Sequence, residues 1–216
     1  IATSAFREAA NGQEIVGRVL SETGMEIEII SGKEEAEIIY ANGLMENMSQ
    51  DRSYLYMDVG GGSTELTLFN NHQAIASRSF NVGSIRLLMD SVSSEEWNEM
   101  KDWVHKVGGE ALKELALIGS GGNINKYCKL LMKDYGEELK YDEIYHLYKR
   151  LKSMSTEDRI QSLYLNPDRA DVIIPAGKIF TSVMKWGGAG TAFVPKFGVS
   201  DGMIRMLYNK TKLENA

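Results

Sequence analysis

Tyr54-Leu-Tyr-Met-Asp-Val-Gly-Gly-Gly-Ser-Thr-Glu-Leu-Thr-Leu-Phe69 carries the pattern on which the reading of this chain turns. An apolar run ends on an acid, Asp58, turns through Gly60, Gly61, Gly62, Ser63 and Thr64, and resumes as an apolar alternation from Leu66. This predicts two strands joined by a tight glycine turn, with a carboxylate at the end of the first. Glycine lets backbone amides approach a ligand with no side chain in the way, and successive amides form an anion-binding nest. Ser63 and Thr64 add hydroxyl donors, and Asp58 could hold a hard cation such as Mg2+ through oxygen. The chemistry implied is a phosphate chain plus a metal. A glycine triplet between strands is also what a plain hairpin turn looks like. It is not a Walker loop, because no lysine stands between the glycines and the Ser/Thr pair.

A second glycine loop shifts the balance toward phosphate. Leu115-Ala-Leu-Ile-Gly-Ser-Gly-Gly-Asn123 is again an apolar strand entering a flexible turn, and Ile124–Met132 follows with helical periodicity. Amides at a helix N-terminus favour anions. Gly119, Ser120, Gly121 and Gly122 are therefore expected to face the first loop across one phosphate site.

Composition narrows the function classes. A chain of 216 residues, 43% hydrophobic, can bury a substantial core. No apolar run approaches the roughly 20 residues of a membrane span, and the opening residues are not a basic-then-apolar leader. The lone cysteine, Cys128, rules out an intrachain disulfide framework and, lying among apolar neighbours in a helical stretch, reads as a buried structural thiol. These features lead to the expectation of a cytoplasmic protein without a membrane partner. The three histidines, His72, His105 and His146, are scattered and offer no zinc spacing. A net charge of −6 argues against nucleic acid as a partner. It does not exclude a polyanionic substrate, because local cations and a metal can focus the field in a cleft. Arg7, Arg86, Lys126 and Arg169 are the candidate cations, although any one of them is more often a solvated surface charge.

Along the chain, residues 2–10 have helical character, Gln13–Glu22 reads as a helix stopped at Gly24, and the alternating Met25–Ile30 reads as a strand. Ser31 and Glu34 have capping-box spacing at the start of a helix running to about Leu44. That assignment occupies Glu34 and leaves Glu35 without a structural role. Strands are expected at 54–59, 64–69 and 73–81, and a long helix from Ser94 to about Lys113. Helices follow at about 123–133, 141–153, 155–163 and 169–187, then a strand at 191–195 and a final helix at 202–209 with a frayed end. The fold class is α/β with a mixed sheet.

Taken together, the motifs resemble the exopolyphosphatase / guanosine pentaphosphate phosphatase family. They are Ala2-Thr-Ser-Ala-Phe-Arg-Glu-Ala with Asn11, Ile30-Ser-Gly-Lys-Glu-Glu-Ala36, Met57-Asp-Val-Gly-Gly-Gly-Ser-Thr-Glu65, Asn81-Val-Gly-Ser-Ile-Arg-Leu87, Ile118-Gly-Ser-Gly-Gly122, Arg169-Ala-Asp-Val-Ile-Ile-Pro-Ala-Gly177 and Gly198-Val-Ser-Asp-Gly-Met. Seven motifs in family order span nearly the whole chain. The resemblance implies a ribonuclease-H-like domain of the actin/Hsp70/sugar-kinase superfamily, and removal of terminal phosphate from inorganic polyphosphate or guanosine pentaphosphate with Mg2+. It implies Glu35 as catalytic carboxylate, with Asp58 and Glu65 at positions of the first phosphate loop and Arg7 and the two glycine loops on the phosphates; the metal reading of Asp58 stands beside it. Glu65, Arg86 and Arg169 are expected around them.

Two departures stand out. The family opens with a strand bearing Asp-x-Gly-Ser-Asn-Ser, which this chain does not contain, and Asn123 stands where relatives often carry Thr. The resemblance therefore implies a fragment. Residues 1–36 would close a first ribonuclease-H-like domain, 37–197 would form the second, and 198–216 a C-terminal helix and tail. Such a fragment is expected to be inactive alone. Two other readings remain open at this point: a non-catalytic sensor of polyphosphate or nucleotide, and an ATP-dependent kinase of the same superfamily. The helical stretch 141–187 is a candidate for a homodimer contact.

Overall fold

The computed structural model describes the chain except for residues 4, 5, 8, 32, 33, 35–37, 39–48, 50, 72, 112, 113, 197, 198, 215 and 216, and the side chains of 199, 200, 209, 210, 213 and 214. Glu35, most of the helix expected up to Leu44, and His72 lie outside the described residues. Helix α1 (Gly12–Thr23) precedes a run of three strands, β1 (Arg52–Val59), β2 (Thr64–Asn70) and β3 (Gln73–Phe80). Next come helices α2 (Ser84–Leu88) and α3 (Ser94–Glu110), strand β4 (Glu114–Ser120) and helix α4 (Gly122–Leu130). The chain continues through β5 (Glu138–Lys140), α5 (Tyr141–Ser153), α6 (Thr156–Leu163), α7 (Pro167–Gly187), β6 (Thr191–Phe193) and α8 (Val199–Glu214).

The strands form one sheet in the order β3-β2-β1-β4-β6-β5. β1, β2 and β3 are an antiparallel meander, while β4 and β6 run parallel to β1. The short edge strand β5 returns antiparallel to β6. The expected α/β class with a mixed sheet is what forms.

Alternation along the central strands sorts the two faces. Leu55, Met57, Val59, Leu66, Leu68, Leu115 and Leu117 go to one face and join a buried core with Met100, Val104 and Val107 of α3 and Ile173, Ile179, Phe180 and Val183 of α7. Burying each such side chain contributes roughly 1.5–3 kcal/mol, so this face carries most of the stability. α7 is the central helix, packing against α2, α3, α4, α5 and α6. On the opposite face Tyr54, Tyr56, Phe69, Ala116 and Ile118 form a second, smaller apolar cluster with Phe193 against it. Farther along β1, β2 and β4 that same face turns polar.

Local signals decide several helix ends. Ser93 caps α3: its hydroxyl accepts from the Glu96 amide at 3.1 Å, and the Glu96 carboxylate accepts from the Ser93 amide at 2.8 Å. Gly24 ends α1 in the left-handed region with its amide on the Leu20 carbonyl. The Ser31/Glu34 box also forms, at 2.8 and 3.2 Å, and hydrogen bonds from Ser31, its backbone amide foremost, hold the Glu34 carboxyl below its ordinary pKa.

Two expectations fail. Met25–Ile30 is not a strand: a ladder needs a neighbour, and among the described residues the segment gains only one isolated parallel bridge, Ala2 with Ile29. The final helix does not fray at Lys210 but continues to Glu214. Cys128 is buried as expected, and burial pushes its thiol pKa up.

Candidate active site

The polar end of the second face is built by strand register. Asp58 pairs directly with Glu65 on β2 and with Ser120 on β4, and Glu65 pairs in turn with Ser79 on β3. Directly opposed residues share a face, with adjacent strands about 4.8 Å apart. Ser79, Glu65, Asp58 and Ser120 therefore form a row across four strands, with the Tyr54/Tyr56/Phe69 cluster as its floor.

The carboxylates are held by hydroxyls. Ser63 Oγ donates to Glu65 Oε1 at 2.7 Å, Ser79 Oγ to the same oxygen at 3.1 Å, and Tyr56 Oη to Asp58 Oδ2 at 3.4 Å. Burial pushes the Asp58 carboxyl above its ordinary pKa, against the hydrogen bonds from Ser120 and Tyr56. Glu65 is pushed up by burial and also by the neighbouring Asp58 charge, with Ser63, Ser79 and Arg7 opposing. Arg7 Nη1 donates to the Ile30 carbonyl at 2.6 Å, while Nη2 lies 3.9 Å from Glu65 Oε1. Among the described residues that Nη2 is buried without a hydrogen-bond partner. A buried donor left open is costly, which suits a site that receives an oxyanion.

The first glycine loop closes β1 onto β2 through the Gly60 amide and Ser63 carbonyl, 3.0 Å apart. The loop is thus the hairpin turn that the triplet between strands suggests. Its carbonyls are occupied from behind. Gly60 accepts from the Ser84 amide at 2.9 Å, and Gly61 accepts from Ile85 at 2.9 Å and Arg86 at 3.2 Å, all at the start of α2. A side chain on Gly83 would meet Gly61 O at 2.2 Å, so only glycine permits this contact. Thr64 is buried, and its hydroxyl donates to the Val82 carbonyl at 2.5 Å, tying the hairpin to the same buttress.

In the second loop Gly121 has φ 101° and ψ 164°, a region reserved for glycine. A Cβ there would lie 3.0 Å from Asp58 Oδ1 and 3.3 Å from the Val59 carbonyl. Gly122 then opens α4 against the Arg169 guanidinium, whose Nη1 would be 2.3 Å from a Cβ at that position. Asn123 is buried, with Oδ1 unpartnered among the described residues.

The structure thus brings Asp58, Glu65, Ser63, Ser120, Gly121 and Arg7 together. It places Arg169 one residue farther along the second loop and fixes Arg86 through its amide to the Gly61 carbonyl. Sequence reasoning missed Tyr56 and Ser79. Tyr56 was within reach, because two-residue spacing puts it on the face of Asp58; Ser79 needed the β2–β3 register.

Residues 1–207 match the Ppx/GppA phosphatase family. The chain belongs to that family. A bifunctional 3-dehydroquinate synthase/phosphatase of Fusobacterium nucleatum is 32% identical over 87% of this chain and 31% of its own length. Exopolyphosphatase 2 of Mycobacterium tuberculosis is 27% identical over 80% of this chain and 61% of its own. The chain therefore spans less than two-thirds of either protein. An exopolyphosphatase structure from Cytophaga hutchinsonii superposes with a TM-score of 0.78 at 23% identity, covering 96% of this chain and 73% of that one. The Aquifex aeolicus Ppx/GppA family member gives 0.74 at 22% identity, covering 97% and 73%. The mixed sheet with flanking helices is thus the fold of the solved Ppx/GppA structures. Among the described residues no helix is long and apolar enough to cross a membrane.

The Asp58–Glu65 pair fits a small hard cation. Mg2+ is commonly bound through one or two carboxylates, with water and substrate phosphate completing its shell. Here two carboxyl groups on facing register positions are both pushed up by burial, and a divalent cation beside them would relieve that cost. Among the described residues no cluster of three or more His, Cys, Asp or Glu forms a denser cage.

Proposed function

We propose that this phosphatase-family chain contributes to hydrolysis of the terminal phosphoanhydride of inorganic polyphosphate, with guanosine pentaphosphate as the other candidate substrate. The observation that carries the reading is the row Glu65–Asp58–Ser120 set between two glycine loops, with the buried Nη2 of Arg7, unpartnered among the described residues, beside it. Asp58 and Glu65 would hold Mg2+, which when bound supplies positive charge against the phosphate oxygens. The loop amides and Arg7 orient the terminal phosphate, while the Ser63 and Ser120 hydroxyls hold the Glu65 and Asp58 carboxyls in place. Glu35 takes a proton from a water aligned for in-line attack on the terminal phosphorus. Phosphoryl transfer depends mainly on positioning and charge stabilisation, and this donor set suits it.

In this reading residues 37–197 form the second domain of a two-domain cleft, whose opposite wall is the Asp-x-Gly-Ser-Asn-Ser loop. The chain alone is then expected to bind without turnover. The test is phosphate release from both substrates, with Mg2+, by this chain joined behind an amino-terminal segment bearing that loop. Glu35→Gln is expected to slow release about a hundred- to ten-thousand-fold. Equal rates for the two proteins would remove Glu35 from the mechanism.

A further inference from the structure

A pocket of about 250 Å³ opens beside the second glycine loop, lined on one side by Gly122, Asn125, Lys126 and Lys129 and on the other by Asn166 and Arg169. The first four lie at spacings of three, one and three residues, which places them on one face of α4. The opposite wall is the turn between α6 and α7. There Tyr164, left-handed at φ 50° and 86% exposed, stands at the rim, and Arg169 rises from the first turn of α7.

Three features mark this pocket as a receiver of negative charge. Three cationic side chains line it and no carboxylate does. Among the described residues, none of Lys126, Lys129 and Arg169 has an ion-pair partner. Uncompensated cations gathered in a concave site of a chain with net charge −6 run against the global electrostatics. The loop is also shaped around one of them, because a side chain at Gly122 would occupy the Arg169 guanidinium.

Position connects the pocket to the carboxylate row. Gly121 lies against Asp58 and its neighbour Gly122 against Arg169, so the two sites are separated by one residue step, about 3.8 Å of backbone. We propose that this pocket is a subsite for phosphate groups of the same substrate beyond the one cleaved, a proposal that rests on the phosphohydrolase reading above. Arg169 bridges the two sites, and Lys126 and Lys129 hold the more distant phosphates. Asn125 and Asn166 supply neutral donors between them.

The experiment is a set of dissociation constants for this chain, with Mg2+, against pyrophosphate, long-chain polyphosphate and guanosine pentaphosphate. The proteins compared are the wild type, the Lys126→Gln/Lys129→Gln variant and Asp58→Asn. Both lysines are at least partly exposed, so the double variant folds, as an unchanged melting temperature verifies. The double variant is expected to bind a multi-phosphate ligand about tenfold more weakly while pyrophosphate binding stays within about twofold. Asp58→Asn is expected to weaken all three ligands. Loss confined to polyphosphate assigns the subsite to the chain; loss confined to the nucleotide assigns it to the second diphosphate group. Unchanged binding of both long ligands, or equal loss for pyrophosphate, overturns the subsite. In that case a surviving effect of Asp58→Asn would leave the carboxylate site standing. Lysine-dependent binding without turnover in the two-domain protein would instead overturn the hydrolytic reading and keep the subsite.

Discussion

Gly60–Ser63 and Gly119–Gly122 each follow an apolar strand into glycine, yet they hold their shapes in different ways. None of Gly60, Gly61 and Gly62 has a positive φ, and their loop is set by what packs behind it: the α2 amides on its carbonyls and Gly83 pressed against its backbone. The second loop is set by its own dihedrals, with Gly121 in a conformation that side-chain-bearing residues avoid. One loop is shaped from outside and the other from within. The first should therefore fail when its buttress is altered, and the second when its own residue is.

The largest effect is expected at the buttress. Gly83→Ala would drive a methyl to within 2.2 Å of Gly61 O and 2.4 Å of two further backbone atoms, none of them able to rotate away. A loss of about 3 kcal/mol is expected in denaturant unfolding, at the upper end for overpacking. A wild-type midpoint would show that the first loop does not depend on α2.

Next comes the second loop itself. Gly121→Ala is expected to cost about 2 kcal/mol from backbone strain alone, and to displace the Asp58 carboxylate 3.0 Å away. Its partner control is Gly62→Ala, where nothing lies within 4 Å and φ is ordinary, and the change should stay within about 0.5 kcal/mol. Equal costs for the two variants would erase the distinction between the loops.

The smallest effect concerns the acid both loops surround. Burial raises the Asp58 pKa, so the folded state favours the neutral form. Stability from this group is complete below the unfolded value of about 3.9 and declines as pH rises through the higher folded value. Asp58→Asn should therefore melt above the wild type at pH 7.5 in chelator. The gap should close toward pH 4, and added Mg2+ should stabilise the wild type only. A variant less stable than wild type at pH 7.5 would mean that the Ser120 and Tyr56 hydrogen bonds outweigh desolvation.

The architecture was legible where periodicity and glycine punctuation agreed, as in β1, β2, β4 and the helices from α3 to α7. It was not legible at α2 and β5. α2 has five residues and β5 three, too few to show a period, and each exists because a neighbour supplies its partners. Met25–Ile30 shows the converse, an alternating pattern without a ladder to join. Most of the site's residue types were readable from motifs. The row Ser79–Glu65–Asp58–Ser120 was not, because it depends on the register between strands. Nor could composition show that Thr64 and the Gly60 and Gly61 carbonyls face the buttress.

Cys128 lies in α4, about two helix turns beyond the loop that passes Asp58, and it is buried with Sγ 3.3 Å from the Lys133 carbonyl. As the lone sulfhydryl of the chain, it is a built-in reporter of opening events. A thiol reagent can reach it only when α4 lifts from the core, so the labelling rate counts the local excursions of that helix. Ligands that clamp the second glycine loop should slow labelling, and those held elsewhere should not.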